Sequence, residues 1–98
     1  DLDRITAADV VTVHVNDALA DVPLDELPDL VRCLPLETGV IDLAAFMRKL
    51  DAMGYDGPVT TEPFSARINA IAAENPLAAA REVSAAMDKL WQAAAVGA

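Results

Sequence analysis

Between residues 41 and 64 the apolar positions change period, and the change lays out a helix, a turn and a strand in succession. Leu43, Phe46, Met47, Leu50 and Met53 recur at the three-and-four spacing of a single buried helical face. Asp42 stands where a side chain can cap the first free amides of that helix. Gly54 follows the last apolar position, where the chain often turns left-handed, a conformation glycine adopts without steric penalty. Asp56-Gly57 predicts a turn, and Pro58 can open a strand because a first residue need not donate to a ladder. That strand, read as 59–62, delivers Glu62 to its carboxyl end and stops at Pro63.

An earlier run, residues 10–15, reads Val-Val-Thr-Val-His-Val and suits a strand buried on both faces in a parallel sheet. Alternation puts Val11, Val13 and Val15 on one face and Val10, Thr12 and His14 on the other, just as it separates Val59 and Thr61 from Thr60 and Glu62. The expectation is that Thr12, His14, Thr60 and Glu62 share a polar interior. One right-handed crossover between the strands would then make His14 and Glu62 neighbours. Residues 1–9 are polar apart from Leu2 and Ile5 and read as the tail of a preceding helix plus a loop. Residues 16–40 exceed an ordinary link of about 4 to 6 residues, which makes them a candidate active-site loop, with a short helix over 23–30 limited by Pro28. A short helix is expected over 65–73. Asn75 and Pro76, a cap and a first-turn residue, open a last helix running to about Ala94, with Leu77, Ala80, Val83, Met87, Leu90 and Ala94 as its buried stripe.

Composition narrows this α/β reading. Of the 98 residues 54% are apolar, enough for a core and against disorder. The formal net charge of -9 opposes nucleic acid or an anionic membrane as partner, and its simplest meaning is solubility. No apolar run approaches the roughly 20 residues that cross a bilayer. Cys33 is the only cysteine, so no internal disulfide forms and a cytoplasmic setting is expected. Opening on Asp1, the chain reads as one entered partway through a longer protein. Walker loops, dinucleotide fingerprints, serine elbows and paired cysteines are absent from the sequence.

Each chemically suggestive residue has two readings. His14 in a valine-rich strand is either a hydrogen-bonded core residue or a ligand. Glu62 either bonds to a loop or caps a helix, or, if buried, needs a metal or an arginine, because an unpaired buried carboxylate costs several kcal/mol. Asp17 reads as a turn residue or a partner of His14, and Arg32 as an exposed loop charge or a substrate contact. Cys33 lacks an activating base and reads as inert, and Trp91 reads as a packing residue.

Taken together, His14-Val-Asn-Asp17, Arg32-x-x-Pro35, Gly39-Val-Ile-Asp42, Gly54-Tyr-Asp-Gly-Pro58 and Glu62-Pro-Phe64 resemble the carboxyl-terminal portion of sugar-phosphate isomerases and epimerases, which are xylose isomerase-like TIM barrels. The resemblance implies that residues 1–98 are an incomplete, C-terminal part of a (β/α)8 barrel, contributing about strands seven and eight with their helices. It implies a divalent metal ion (Mn, Mg, Co or Zn) held by His14 and Glu62 together with a glutamate and an aspartate from earlier strands. Glu62 would also be the catalytic acid/base, moving a proton through an enediolate, and Arg32 would contact hydroxyl or phosphate oxygens. The implied partner is a small-molecule sugar or sugar phosphate, and a homo-oligomer at full length is left open.

The chain departs from the family pattern at Leu36, where glycine usually follows the Arg-x-x-Pro motif, and in a longer loop before Arg32. A DNA-repair endonuclease branch shares His-x-Asn-Asp but adds an Asp-Arg-His zinc triplet, where this chain reads Asp29-Leu-Val-Arg32 with no second histidine. The alternatives kept beside the isomerase reading are an inosose dehydratase-like lyase of the same fold and a non-enzymatic barrel that binds without catalysis.

Overall fold

The computed structural model describes residues 2–28, 31–62 and 64–95. Two strands, β1 (Val13–Val15) and β2 (Val59–Thr61), pair in parallel with Val13 beside Val59, His14 beside Thr60 and Val15 beside Thr61. Three helices accompany them: α1 (Leu43–Ala52) between the strands, then α2 (Ala66–Glu74) and α3 (Pro76–Ala94) after β2. The expected α/β order is therefore present.

Local chemistry sets the helix ends. Asp42 accepts from the Ala45 amide at 3.0 Å, Ser65 from Ile68 at 3.2 Å and Asn75 from Ala78 at 3.1 Å, so each N-terminus has one of its free donors satisfied by a side chain. Gly54, at φ +84°, ends α1 as expected. Leu43, Met47 and Leu50 of α1 are buried against Val13 and Val15 of β1 and Leu90 and Ala94 of α3, with Phe46, Met53, Val59, Met87 and Trp91 around them. Trp91 is thus a packing residue. A second cluster joins Leu34, Ile68 of α2, and Ala79 and Ala86 of α3.

Several expectations are corrected. The first strand starts at Val13 rather than Val10, and Val11 is 87% exposed instead of sharing the buried face. The register gives the reason. Continued backwards, it would set Thr12, Val11 and Val10 against Pro58, Gly57 and Asp56, a residue with no amide and the turn before it. The second strand ends at Thr61, yet the Glu62 amide still donates to the Val15 carbonyl at 3.0 Å and so remains in register. On α3 the buried stripe is Ala79, Ala86, Leu90 and Ala94, while Leu77 is 58% exposed and Ala80 is exposed. Two single 3-10 turns, Leu2–Arg4 and Ala7–Asp9, replace the helix tail expected at the start. Within 23–30 the structure has one 3-10 turn, Leu24–Glu26; Asp29, Leu30 and Pro63 lie outside the described residues.

The helices cover one face of the sheet only, so β1 is buried on one face and not on both as expected, with His14 exposed on the other. A radius of gyration of 14.2 Å exceeds the roughly 12.6 Å of a compact domain of this length, and the body is 22 Å thick along its shortest axis. Among the described residues the sheet has two strands, so the outer edges of both β1 and β2 lack a strand partner.

Candidate functional site

The uncovered face carries the chemistry. Because side chains alternate, packing Val13 and Val15 against the helices turns His14 to the opposite side, where Thr60 is its register neighbour and Glu62 lies one pleat further along. His14 Nδ1 and Glu62 Oε1 are 2.7 Å apart, and the two side chains are 49% and 40% exposed. Thr60 shares this exposed face, whereas Thr12 lies outside β1, so the expected polar set is reduced to His14, Thr60 and Glu62.

The donor chemistry of this pair suits a divalent ion: one imidazole nitrogen and one carboxylate oxygen are ligands common to Mn, Co and Zn. Adjacent ligands at about 2.1 Å from one ion lie about 3.0 Å apart in an octahedral site and about 3.4 Å apart in a tetrahedral one, so the 2.7 Å contact would open by about 0.3 to 0.7 Å around an ion. Among the described residues no three His, Cys, Asp or Glu side chains gather at metal-binding distance.

Arg32 reaches the same region through the backbone. Its amide donates to the Phe64 carbonyl, two residues beyond Glu62, and the Phe64 amide donates to the Glu62 carbonyl at 2.8 Å. Its Nε is buried and has no hydrogen-bond partner among the described residues. A buried guanidinium donor left without an acceptor is costly, so an oxygen ligand there would be favourable.

Asp17 is fully buried and does not bond to His14. Its Oδ1 accepts from the amides of Ala18 (2.9 Å) and Ile41 (3.1 Å), and its Oδ2 from those of Thr38 (3.2 Å) and Gly39 (2.7 Å). Burial pushes its pKa up, but the bonds from Ile41, Ala18, Gly39 and Thr38 outweigh burial and hold the carboxyl below the usual range. Sequence reasoning recognised a structural aspartate and missed this clasp, since three of its four donors lie more than 20 residues away.

Burial, reinforced by the carboxylates of Glu37 and Asp17, pushes the Cys33 thiol up, in keeping with an inert cysteine. Leu36 has φ +67°, the left-handed conformation that favours glycine, which accounts physically for the glycine usual there in the resembled family. No helix among the described residues is long and apolar enough to cross a membrane.

Comparison with known families matches residues 1–90 to the model of the xylose isomerase-like TIM barrel. No curated protein and no solved structure matches the chain.

Proposed function

The chain belongs to the xylose isomerase-like TIM barrel family, and from that premise we propose that it supplies the last two strand-helix units of a divalent-metal-dependent sugar or sugar-phosphate isomerase or epimerase. The observation that supports this most directly is the 2.7 Å contact between His14 and Glu62 across two parallel strand ends, the end at which TIM barrels keep their chemistry. Both ligands come from the uncovered face, which the remaining strands of a closed barrel would enclose.

When bound, a divalent ion would polarise the substrate's carbonyl and hydroxyl oxygens and make the neighbouring carbon more acidic. With the His14 imidazole and one carboxylate oxygen of Glu62 on the ion, the other oxygen of Glu62 would take the proton from the carbon beside the carbonyl and return it to the neighbouring carbon in an isomerisation, whereas an epimerisation would need a second acid on the opposite face, the glutamate expected from an earlier strand. The Nε of Arg32, without a partner among the described residues, would give a phosphate or hydroxyl oxygen of the substrate a donor. The partner is a small sugar or sugar phosphate in the cytoplasm; acidic character argues against nucleic acid.

The test is proton exchange. Full-length protein, a divalent ion and a panel of ketoses and ketose phosphates in D2O should incorporate deuterium beside the carbonyl. Glu62→Gln should slow this by about 10²- to 10⁴-fold, the usual contribution of a positioned base. His14→Ala should weaken ion binding and exchange together. Wild-type exchange in either variant refutes the assignment, loss of water from the product indicates the dehydratase, and no exchange with any substrate indicates a binding protein.

A further inference from the structure

The long connection between β1 and α1 returns across the ends of both strands. Cys33 pairs with Asp17 in an antiparallel bridge, donating at 3.0 Å and accepting at 2.9 Å, so it is tied to the end of β1. The next residue back, Arg32, donates from its backbone to Phe64, just beyond β2. Residues 32–33 therefore form a strap from one strand end to the other. Asn16 adds a long contact, its Nδ2 lying 3.5 Å from the Glu62 carbonyl.

The strap starts and ends at Asp17. Its backbone holds Cys33, and its buried carboxylate gathers amides of residues 38, 39 and 41, where the connection enters α1. Thr38 reinforces this by donating its hydroxyl to the Ala18 carbonyl at 2.6 Å. One side chain thus anchors both limbs of the loop to the end of the strand that carries His14. No lysine or arginine pairs with Asp17 among the described residues; backbone N–H groups alone offset its charge.

We propose that Asp17 is the positioning residue of the His14 and Glu62 pair: by clamping the loop to the end of β1, it holds the strap that sets the separation of the two strand ends. This rests on the proposed metal-binding role of the pair for one of its readouts. The other readout is independent of metal. The two oxygens of Asp17 each take two donors, so Asp17→Asn retains at most one acceptor oxygen and sets an NH2 group against the remaining amides.

The experiment compares full-length wild type with Asp17→Asn, Thr38→Ala and, as a control in the same loop, Glu37→Ala. Glu37 accepts from the Leu34 amide and pairs with Arg67 without touching the clasp. Without metal, long-range ¹⁵N NMR of the His14 ring reports its bond to Glu62, and amide exchange reports residues 18, 38, 39 and 41 against α3. With Mn²⁺, calorimetry reports affinity. Asp17→Asn should alter the His14 Nδ1 resonance, raise exchange at the four amides at least tenfold with α3 unchanged, and weaken Mn²⁺ binding about 10- to 100-fold, the range for outer partners of metal ligands.

Thr38→Ala should shift the same readouts in the same direction by a few fold, and it decides the matter should Asp17→Asn fail to fold. Glu37→Ala should leave the His14 resonance and Mn²⁺ affinity at wild-type values. If the clasp amides open while the His14 resonance stays at its wild-type position, Asp17 is only structural and the proposal is overturned. If the resonance changes but the wild type binds no Mn²⁺, the positioning role stands and the metal reading fails.

Discussion

Gly57 precedes β2, the strand that leads to Glu62, and replacing it with alanine tests how that strand is launched. A Cβ at this position would sit 2.5 Å from the Tyr55 hydroxyl oxygen, 2.6 Å from Cζ and 2.8 Å from Cε1, against an ordinary contact of about 3.5 to 4.0 Å. Tyr55 cannot move aside freely. Its hydroxyl donates to the Pro58 carbonyl at 2.7 Å, its ring packs against the main core, and the same Pro58 carbonyl accepts from the Val13 amide at 3.2 Å. Displacing the ring forfeits that hydrogen bond, about 1 kcal/mol, and part of its packing, so Gly57→Ala should cost about 2 kcal/mol, or roughly 30-fold in the folding equilibrium.

The sign should reverse when Tyr55 is already alanine. Gly57 is not among the residues with positive φ, so its backbone accepts a side chain, and Gly→Ala there should stabilise by about 0.4 to 1 kcal/mol through the unfolded chain. The assay is a double-mutant cycle of urea unfolding on the full-length protein. A Gly57→Ala variant within 0.5 kcal/mol of wild type, or an equal cost in both Tyr55 backgrounds, would show that the close approach of ring and turn does not govern this position.

Further outcomes follow from the core, the clasp and the open sheet. Leu90 is fully buried between α1 and β1, and Leu90→Ala should cost about 3 kcal/mol by urea midpoint, the middle of the range for such cavities. Asp17 has a depressed folded pKa, so its contribution is complete above the unfolded value of about 3.9 and is lost as pH falls through the lower folded value; acid unfolding of Asp17→Asn should lack this dependence. The isolated 98-residue chain, with two strands and an uncovered polar face, should self-associate or remain loosely packed, and a compact monomer unfolding cooperatively would show that it is a complete domain.

The sequence by itself determined what depends on near neighbours. The Asp42 and Asn75 caps, the Gly54 stop and the face of α1 were legible because each involves groups three or four residues apart, and a helix supplies that spacing wherever it forms. The nearness of His14 and Glu62 was legible too, through strand alternation and the rule for parallel crossovers together with the motif resemblance. Tertiary structure alone decided the rest. The length of β1 depended on its partner, because a valine run forms a ladder only where the opposite strand offers amides and carbonyls, and Pro58 closes that opportunity. The stripe on α3 was ambiguous because alanine is spread around that helix. Leu34 and Ile68 selected Ala79 and Ala86, whose small side chains let both neighbours pack closely. The Asp17 clasp was hidden for the same reason. A buried carboxylate is tolerable only where donors converge on it, and most of these converge from 21 to 24 residues away, a distance at which sequence pattern carries no geometry.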